Sequence, residues 1–332
     1  MNSNTDQFQF AEPNGMTSAS AEIAQDAALL KLGCALKKAG YRFTTITPAT
    51  HARVNARDGN EWAIDLGGVF GWSRPFDSSV LPEEIFALMR IAGIVAPHDA
   101  GWRCLLRAST LDDQLFFHSA YPTEEVDSVF FGPDTYRFAT AIGQHLGVTA
   151  TPVQRAVDIG CGGGPGAISI AHYRPEAEVL AVDINDSALR LARVNAALAG
   201  AGNVKPCVSN LLNDVDGTFD LIVANPPYLV DPERRAYRHG AGALGEGLSL
   251  SIVDCALQRL RSDGTLLLYT GAAVVDGIDA FRLAAEQKLS HGQVQWHYRE
   301  IDPDIFGEEL VHPAYAKVDR IAAVLLVVTK CG

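Results

Sequence analysis

From Gln154 onward, apolar runs of strand length alternate with stretches of helix length, most of them closed by a turn or capping residue. Such a chain buries both faces of a sheet by laying helices on either side of it, which confines it to a doubly wound, mostly parallel α/β fold. Strands are predicted at 156–159, 179–182, 204–208, 219–224 and 264–270. Helices fall between them: one through Tyr173, one from an N-cap at Asp186 or Ser187 to Ala199 with Gly200 closing it, and two over 247–261 and 276–288. The runs 294–301 and 320–329 complete the sheet as an antiparallel pair at one edge.

Two connections in this pattern carry chemistry. The first, Gly160-Cys161-Gly162-Gly163-Gly164-Pro165-Gly166, puts five glycines in seven residues at a strand-to-helix junction. Backbone there can approach a ligand closely at a helix N-terminus. Dinucleotide-binding dehydrogenases use similar turns but usually place small apolar residues where this chain has Asp158. A carboxylate at that point either meets an ammonium group, through the loop or a water, or organises the loop itself. Asp183 ends the second strand, where a carboxylate accepts both hydroxyls of a ribose or caps the next helix. Asn210, after the third strand, is placed for the amino edge of a base or serves as an ordinary turn residue.

The second connection is Asn225-Pro226-Pro227-Tyr228, at the end of the run 219–224. Open α/β sheets bind ligands at this carboxyl edge. Two prolines fix φ near −65° and remove two backbone donors, so the carbonyls and the Asn225 side-chain oxygen remain as acceptors beside the Tyr228 ring. That combination suits a flat group carrying an N–H that needs orienting. An ordinary packed aromatic is the alternative for Tyr228.

Before the alternation begins, 21–39 has helical apolar spacing with Gly40 as C-cap, 51–57 alternates like a strand before an Asp58-Gly59 turn, and a helix opens at Leu81-Pro82 and ends at Gly93. The runs 103–107 and 114–118 flank a turn at Asp112-Asp113 and read as one hairpin. Helices followed by a short hairpin resemble a winged-helix-like module, a smaller α+β unit that serves as substrate recognition, lid or structural cap. Phe130 to Tyr136 reads as a turn that packs the junction between units or folds over a ligand, and 137–147 as a short helix. The expected organisation is a disordered tail at 1–20, an N-terminal α+β domain at 21–127 and the doubly wound domain at 128–332.

The 332 residues are enough for a sizeable core in two domains, and 48% hydrophobic with 20% charged residues is the balance of a soluble enzyme. A net charge of −12 argues against broad binding to a phosphate backbone, leaving only a local cluster at Arg234, Arg235, Arg238 and His239. The six cysteines have no paired spacing of a zinc or dithiol site. No apolar run approaches the roughly 20 residues of a membrane span, and the polar first 20 residues do not form a signal peptide, so a cytoplasmic protein is expected.

The run from Asp158 to Gly164, Asp183 and the Asn225-Pro226-Pro227-Tyr228 loop together resemble the motifs of class I S-adenosylmethionine-dependent methyltransferases. More narrowly they resemble the HemK-type group of glutamine N5-methyltransferases, over roughly residues 130–330. The resemblance implies a Rossmann-like domain and S-adenosylmethionine as cofactor. It implies cofactor contacts from Gly160, Cys161, Gly162, Gly163, Gly164, Asp183 and Asn225, to which Asp158 and Asn210 are added by their positions, with no metal expected. It further implies that Asn225 and Pro226 hold the target nitrogen, with Pro227 fixing the turn and Tyr228 stacking on the substrate plane. Asn210 departs from the acid often found there, and the N-terminal module does not match the helical bundle of the release-factor enzymes. The acceptor therefore stays open among small molecule, peptide and protein glutamine. An exocyclic amine of RNA or DNA is disfavoured by the acidic balance, and a non-catalytic cofactor-binding assembly protein by the intact loops. A nicotinamide-dependent oxidoreductase is a poorer option, since its enzymes have no counterpart of the proline loop.

Overall fold

The computed structural model describes residues 18–290 and 292–332. The tail expected at 1–20 lies outside the described residues, except that helix α1 already begins at Ser18. The N-terminal half holds α1 (Ser18–Lys38), α2 (Pro48–Asn55), α3 (Leu66–Phe70) and α4 (Glu83–Ile91). Two antiparallel hairpins follow, β1 (Val95–His98) with β2 (Gly101–Cys104), and β3 (Leu106–Leu111) with β4 (Gln114–Ser119). The run 103–107, expected as one strand, straddles the break between β2 and β3, so one predicted hairpin is two.

The segment 51–57 is not a strand but mostly the second half of α2. The Thr47 side chain accepts from the Thr50 amide and Pro48 fills the first turn, which starts the helix despite the alternating residues that follow. His51 is thereby carried into the core, where Nε2 donates to the Trp72 carbonyl at 2.9 Å.

The remainder alternates helix and strand: α5 (Pro133–Val148), β5 (Arg155–Ile159), α6 (Pro165–Tyr173), β6 (Glu178–Asp183), α7 (Asp186–Ala199), β7 (Val204–Val208) and β8 (Phe219–Ala224). Then come α8 (Gly247–Arg259), β9 (Leu260–Val275), the two-residue β10 (Ile278–Asp279), α9 (Ala280–Leu289), β11 (Val294–Asp302) and β12 (Arg320–Lys330). The sheet order is β11-β12-β9-β8-β5-β6-β7, with β5 to β9 parallel, β12 antiparallel between β9 and β11, and β10 folded back on β9. This is the expected seven-stranded, mostly parallel sheet with an antiparallel edge. The N-cap of α7 is Asn185, one residue before the predicted ones.

Alternate residues of the central strands feed cores on opposite faces. Leu221, Val223, Leu267 and Tyr269 pack with α5 and α6, while Ile222, Ala224, Leu266 and Leu268 pack with α8 and α9. Both faces being dry is why these strands read as unbroken apolar runs.

Helix α7 is apolar on two sides. Leu189, Ala192 and Ala196 face the sheet core, and Ala188, Leu191, Val194 and Leu198 join α1, α3 and α4 in the N-terminal core. The N-terminal elements are thus a layer fused to the sheet through one helix. Asn195, fully buried on α7, fixes the join: it accepts from the Phe117 amide at 2.8 Å and donates to the carbonyls of Phe117 and Gly163 at 3.0 and 2.9 Å. Replacing it with alanine strands these backbone groups in a dry interior. Asn195→Ala is expected to cost about 1–3 kcal/mol, read as a lower urea midpoint at unchanged slope.

Candidate active site

The carboxyl ends of β5, β6, β7 and β8 open into a cavity of about 510 Å³, walled on its far side by α2, β3 and the segment 121–135. Its volume is that of a site for small molecules. Among the residues singled out in the sequence, Asp158, Gly160, Cys161, Gly162, Asp183, Asn210, Asn225, Pro226, Pro227 and Tyr228 share its wall. Gly163 and Gly164 do not. Their backbone turns away against α7, where a side chain on Gly164 would meet Ala192 at 3.2 Å, so they fit the turn to the helix instead of facing a ligand.

The glycine turn is organised by the two carboxylates. Asp158, 1% exposed, accepts from the Ala167 amide in the first turn of α6 at 2.9 Å. Burial pushes its pKa up to about 7 against the pull of that hydrogen bond, with the nearby Asp183 charge adding to the rise. Asp183 accepts from the Gly162 amide at 2.9 Å and the Asn185 amide at 3.0 Å, and burial raises its pKa too. Gly160 and Gly162 have φ of 69° and 52°, and a Cβ on Gly160 would meet nothing within 4 Å. An acid-bearing crevice with backbone open to approach fits a ligand that carries an ammonium and adjacent hydroxyls, as S-adenosylmethionine does. Asn210 is exposed at the rim.

The Asn225 loop is held from beneath. Tyr228, 7% exposed, donates from its hydroxyl to Asp134 Oδ2 at 2.5 Å, and Tyr269 on β9 donates to Asp134 Oδ1 at 2.7 Å. The Tyr228 ring lies so close over Gly271 that a Cβ there would sit 2.2 Å from it. Its other contact is edge-on to Phe306 at 6.1 Å. Tyr228 therefore anchors the loop, and the stacking role expected of it falls to no face of its ring that is plainly free. A side chain on Gly245, at φ 92°, would collide with the Tyr228 carbonyl at 1.9 Å, so the glycine-rich run 240–247 wraps the loop closely. Asn225 itself is half-buried, and its amide bonds to no other described residue.

The cluster after the loop is not a basic patch. Arg235 bonds the buried Asp231 through Nε at 3.0 Å and Nη2 at 2.5 Å, and Arg238 pairs with Glu309. His239 Nδ1 accepts from the Asp231 amide at 3.3 Å, which ties it up as a loop fastener. Phe130 to Tyr136 is no turn: α5 starts at Pro133, Phe131 is buried against His118 at 4.9 Å, and Phe130 stays at the cavity rim. His118 sits inside β4 and bonds Ser109 Oγ at 2.8 Å, so it lies in the core.

Sequence reasoning missed Asp134, Arg107 and His51 as wall residues. The Gly-Pro-Asp signal flagged a turn but not the carboxylate's partners, which lie 94 and 135 residues away.

Two tests follow from this geometry. An acid whose pKa is raised in the fold stabilises relative to a neutral analogue less and less as pH climbs from its unfolded value to its folded one. Asp158→Asn should therefore gain stability relative to the parent between pH 4 and pH 7, read by denaturant unfolding at each pH. Tyr228→Phe should cost about 1–3 kcal/mol, because Asp134 loses a donor in a dry site, again read by denaturant unfolding.

Residues 139–273 match the methyltransferase small domain. The release factor glutamine methyltransferase of Deinococcus radiodurans is 37% identical over 165 residues, which cover 47% of this chain and 55% of that protein. The ribosomal protein uL3 glutamine methyltransferase of Xanthomonas campestris pv. campestris is 39% identical over 130 residues, 36% and 42% of the two chains. The 4-amino-L-phenylalanine/4-methylamino-L-phenylalanine methyltransferase of Streptomyces pristinaespiralis is 29% identical over 166 residues, 46% and 53%. The chain spans about half the length of the curated relatives it matches. The strands that carry the glycine turn, Asp183 and the Asn225 loop thus lie within the stretch that is similar to the methyltransferase small domain.

Proposed function

We propose that the chain is an S-adenosylmethionine-dependent N-methyltransferase acting on a planar nitrogen, an amide or aromatic amine, of a small molecule or peptide. One observation carries this reading: an Asn225 amide with no partner among the described residues stands in the same cavity wall as the glycine turn and its two carboxylates. Backbone at Gly160, Cys161 and Gly162, the Asp158 and Asp183 carboxylates, and Asn210 at the rim would hold the cofactor. When bound, S-adenosylmethionine supplies a methyl group on a sulfonium, open to in-line displacement.

The protein's task is then orientation and polarity. The lone pair of an amide or aromatic amine nitrogen is delocalised into its π-system. Asn225 Oδ1 and the Pro226 carbonyl, accepting its two hydrogens, draw the nitrogen toward tetrahedral geometry and localise that pair. Both bonds strengthen as positive charge develops on nitrogen, so they favour the transition state over the ground state. Pro226 and Pro227 lack N–H groups that would compete for the acceptors, and the Tyr228–Asp134 anchor keeps the loop from yielding.

The relatives support a flat nitrogen, since their names give glutamine and an aryl amine as acceptors. A protein glutamine is the second reading, favoured by the 37% and 39% identities. Against it, the family match begins only at residue 139, so the N-terminal layer that walls the cavity lies outside it. Nucleic acid draws no support from an arginine cluster in which Arg235 and Arg238 are neutralised by Asp231 and Glu309. No helix among the described residues is long and apolar enough to cross a membrane, in keeping with a cytoplasmic setting for the 21–127 cap and 128–332 catalytic units.

Titration calorimetry with S-adenosylmethionine, followed by mass spectrometry of extracts incubated with labelled cofactor, tests the reading. Asn225→Ala should lower methyl transfer by at least about 10²-fold while cofactor binding stays measurable. A fully active Asn225→Ala enzyme defeats the assignment.

A further inference from the structure

The cavity that the Asn225 loop lines also holds a buried cation. Arg107, on β3, is 6% exposed and lines the cavity. Its Nε donates to the Ser119 carbonyl at 3.2 Å. The two terminal nitrogens have no hydrogen-bond partner among the described residues, and no carboxylate lies within ion-pair distance. This sets it apart from the other arginines in the wall, Arg235 and Arg238, which are neutralised by Asp231 and Glu309. The terminal nitrogens keep some accessible surface toward the cavity, and a guanidinium so little hydrated and without a counter-charge is costly.

Its neighbours do not supply the missing charge. His51 shares the wall and stacks on Tyr121 at 4.0 Å. Burial holds the His51 pKa down at about 4, so at neutral pH the ring is neutral and carries its one hydrogen on Nε2, which donates to the Trp72 carbonyl. His118, opposite Arg107 across the hairpin, is buried and likewise shifted toward the neutral form. Tyr41, Tyr121 and Tyr136 are the other polar side chains near the guanidinium. Burial lowers the Arg107 pKa only to about 10, so it stays a cation at neutral pH. Glu124 belongs to the wall too, but it is exposed at the mouth.

We infer that Arg107 is the counter-ion for a carboxylate on the methyl acceptor, so that the acceptor is a small molecule with a flat nitrogen at one end and a single negative charge at the other. The inference rests on the methyltransferase reading for the nitrogen end only. One unpaired guanidinium matches one monoanion, and its two free terminal nitrogens offer the parallel donors a carboxylate takes up bidentately. A phosphate dianion would face a single cation in a chain of net charge −12. The charge is reached through the cavity, which favours a small ligand over a folded partner.

The test uses matched pairs: 4-aminobenzoate, 4-aminophenylacetate, 3-(4-aminophenyl)propionate and 4-amino-L-phenylalanine, each beside its neutral carboxamide. Binding to the full chain is measured calorimetrically with S-adenosylhomocysteine present, and methyl transfer by mass spectrometry. At least one carboxylate should bind about 10- to 100-fold more tightly than its carboxamide, the range of a charge-assisted hydrogen-bonded pair. Arg107→Met should erase that preference and Arg107→Lys restore part of it, with circular dichroism checking the fold of each variant. The parent's preference needs no variant, so a variant that fails to fold leaves the test standing. Equal affinity within every pair, no measurable binding of any carboxylate, or a preference that survives Arg107→Met overturns the inference. Arg107-dependent carboxylate binding without any methyl transfer would sustain it and count against the methyltransferase reading. Transfer to carboxamides and carboxylates alike would do the reverse.

Discussion

Asp134 is 2% exposed, and a carboxylate so far from water survives there because two phenols and a guanidinium are brought to it from three places in the chain. Tyr228 arrives from the loop after β8, Tyr269 from the middle of β9, and Arg137 from the next turn of α5, where it also bonds Asp302 at 2.7 Å. Burial raises the Asp134 pKa against the pull of all three partners, and burial prevails. The result is positional. The carboxylate stands at the start of a helix that frames the cavity, and the groups it binds carry the loop that ends in Asn225. A loop held only by its prolines would have fixed φ angles but no fixed place relative to the sheet.

The glycine turn has its own fixture, built on the other side of the cavity. Asn195 holds the Gly163 carbonyl and the Phe117 backbone at once, so the turn, α7 and hairpin β3–β4 move as one piece. Because Arg107 and Phe117 sit on that same hairpin, the part of the wall that carries Arg107 is tied to the glycine turn as well. The N-terminal layer has a core of its own, from Ala28 and Leu29 to Phe117 and Val129, which one face of α7 completes.

What could be seen in the sequence followed from local chemistry. Strands β5, β6, β8 and β9 are apolar on both faces, which makes them legible without knowing their neighbours, and Gly40, Gly93 and Gly200 marked helix ends by their left-handed φ of 71°. The Asn225 loop was legible because two prolines after a buried strand leave few conformations. Failures came where a long-range partner decided the outcome. His51 lies in a pattern that alternates like a strand, yet Thr47 and Pro48 just before it start a helix and Trp72 receives its ring. The Tyr228 ring looked available for stacking because nothing near it in sequence announced Gly271 beneath or Asp134 beyond. The arginines at 235 and 238 looked like a patch because Glu309 lies 71 residues from Arg238.

The same reasoning bears on why one arginine should stay unpaired. In this chain acids outnumber bases, 39 to 27, so a counter-ion for Arg107 would have been easy to supply. Asp231 and Glu309 do so for Arg235 and Arg238 at the same cavity, and both of those arginines are more exposed than Arg107. The least exposed of these three guanidiniums is thus the one left without a protein partner, open only toward the cavity. A carboxylate arriving with the acceptor would supply a partner, and the cost of the bare cation is then offset only when the site is filled. On the proposed reading such a site would hold its ligand by charge at Arg107 and by acceptors for N–H at the Asn225 loop. A molecule offering only one of the two would lie unoriented, and orientation is what methyl transfer to a weak nitrogen nucleophile requires.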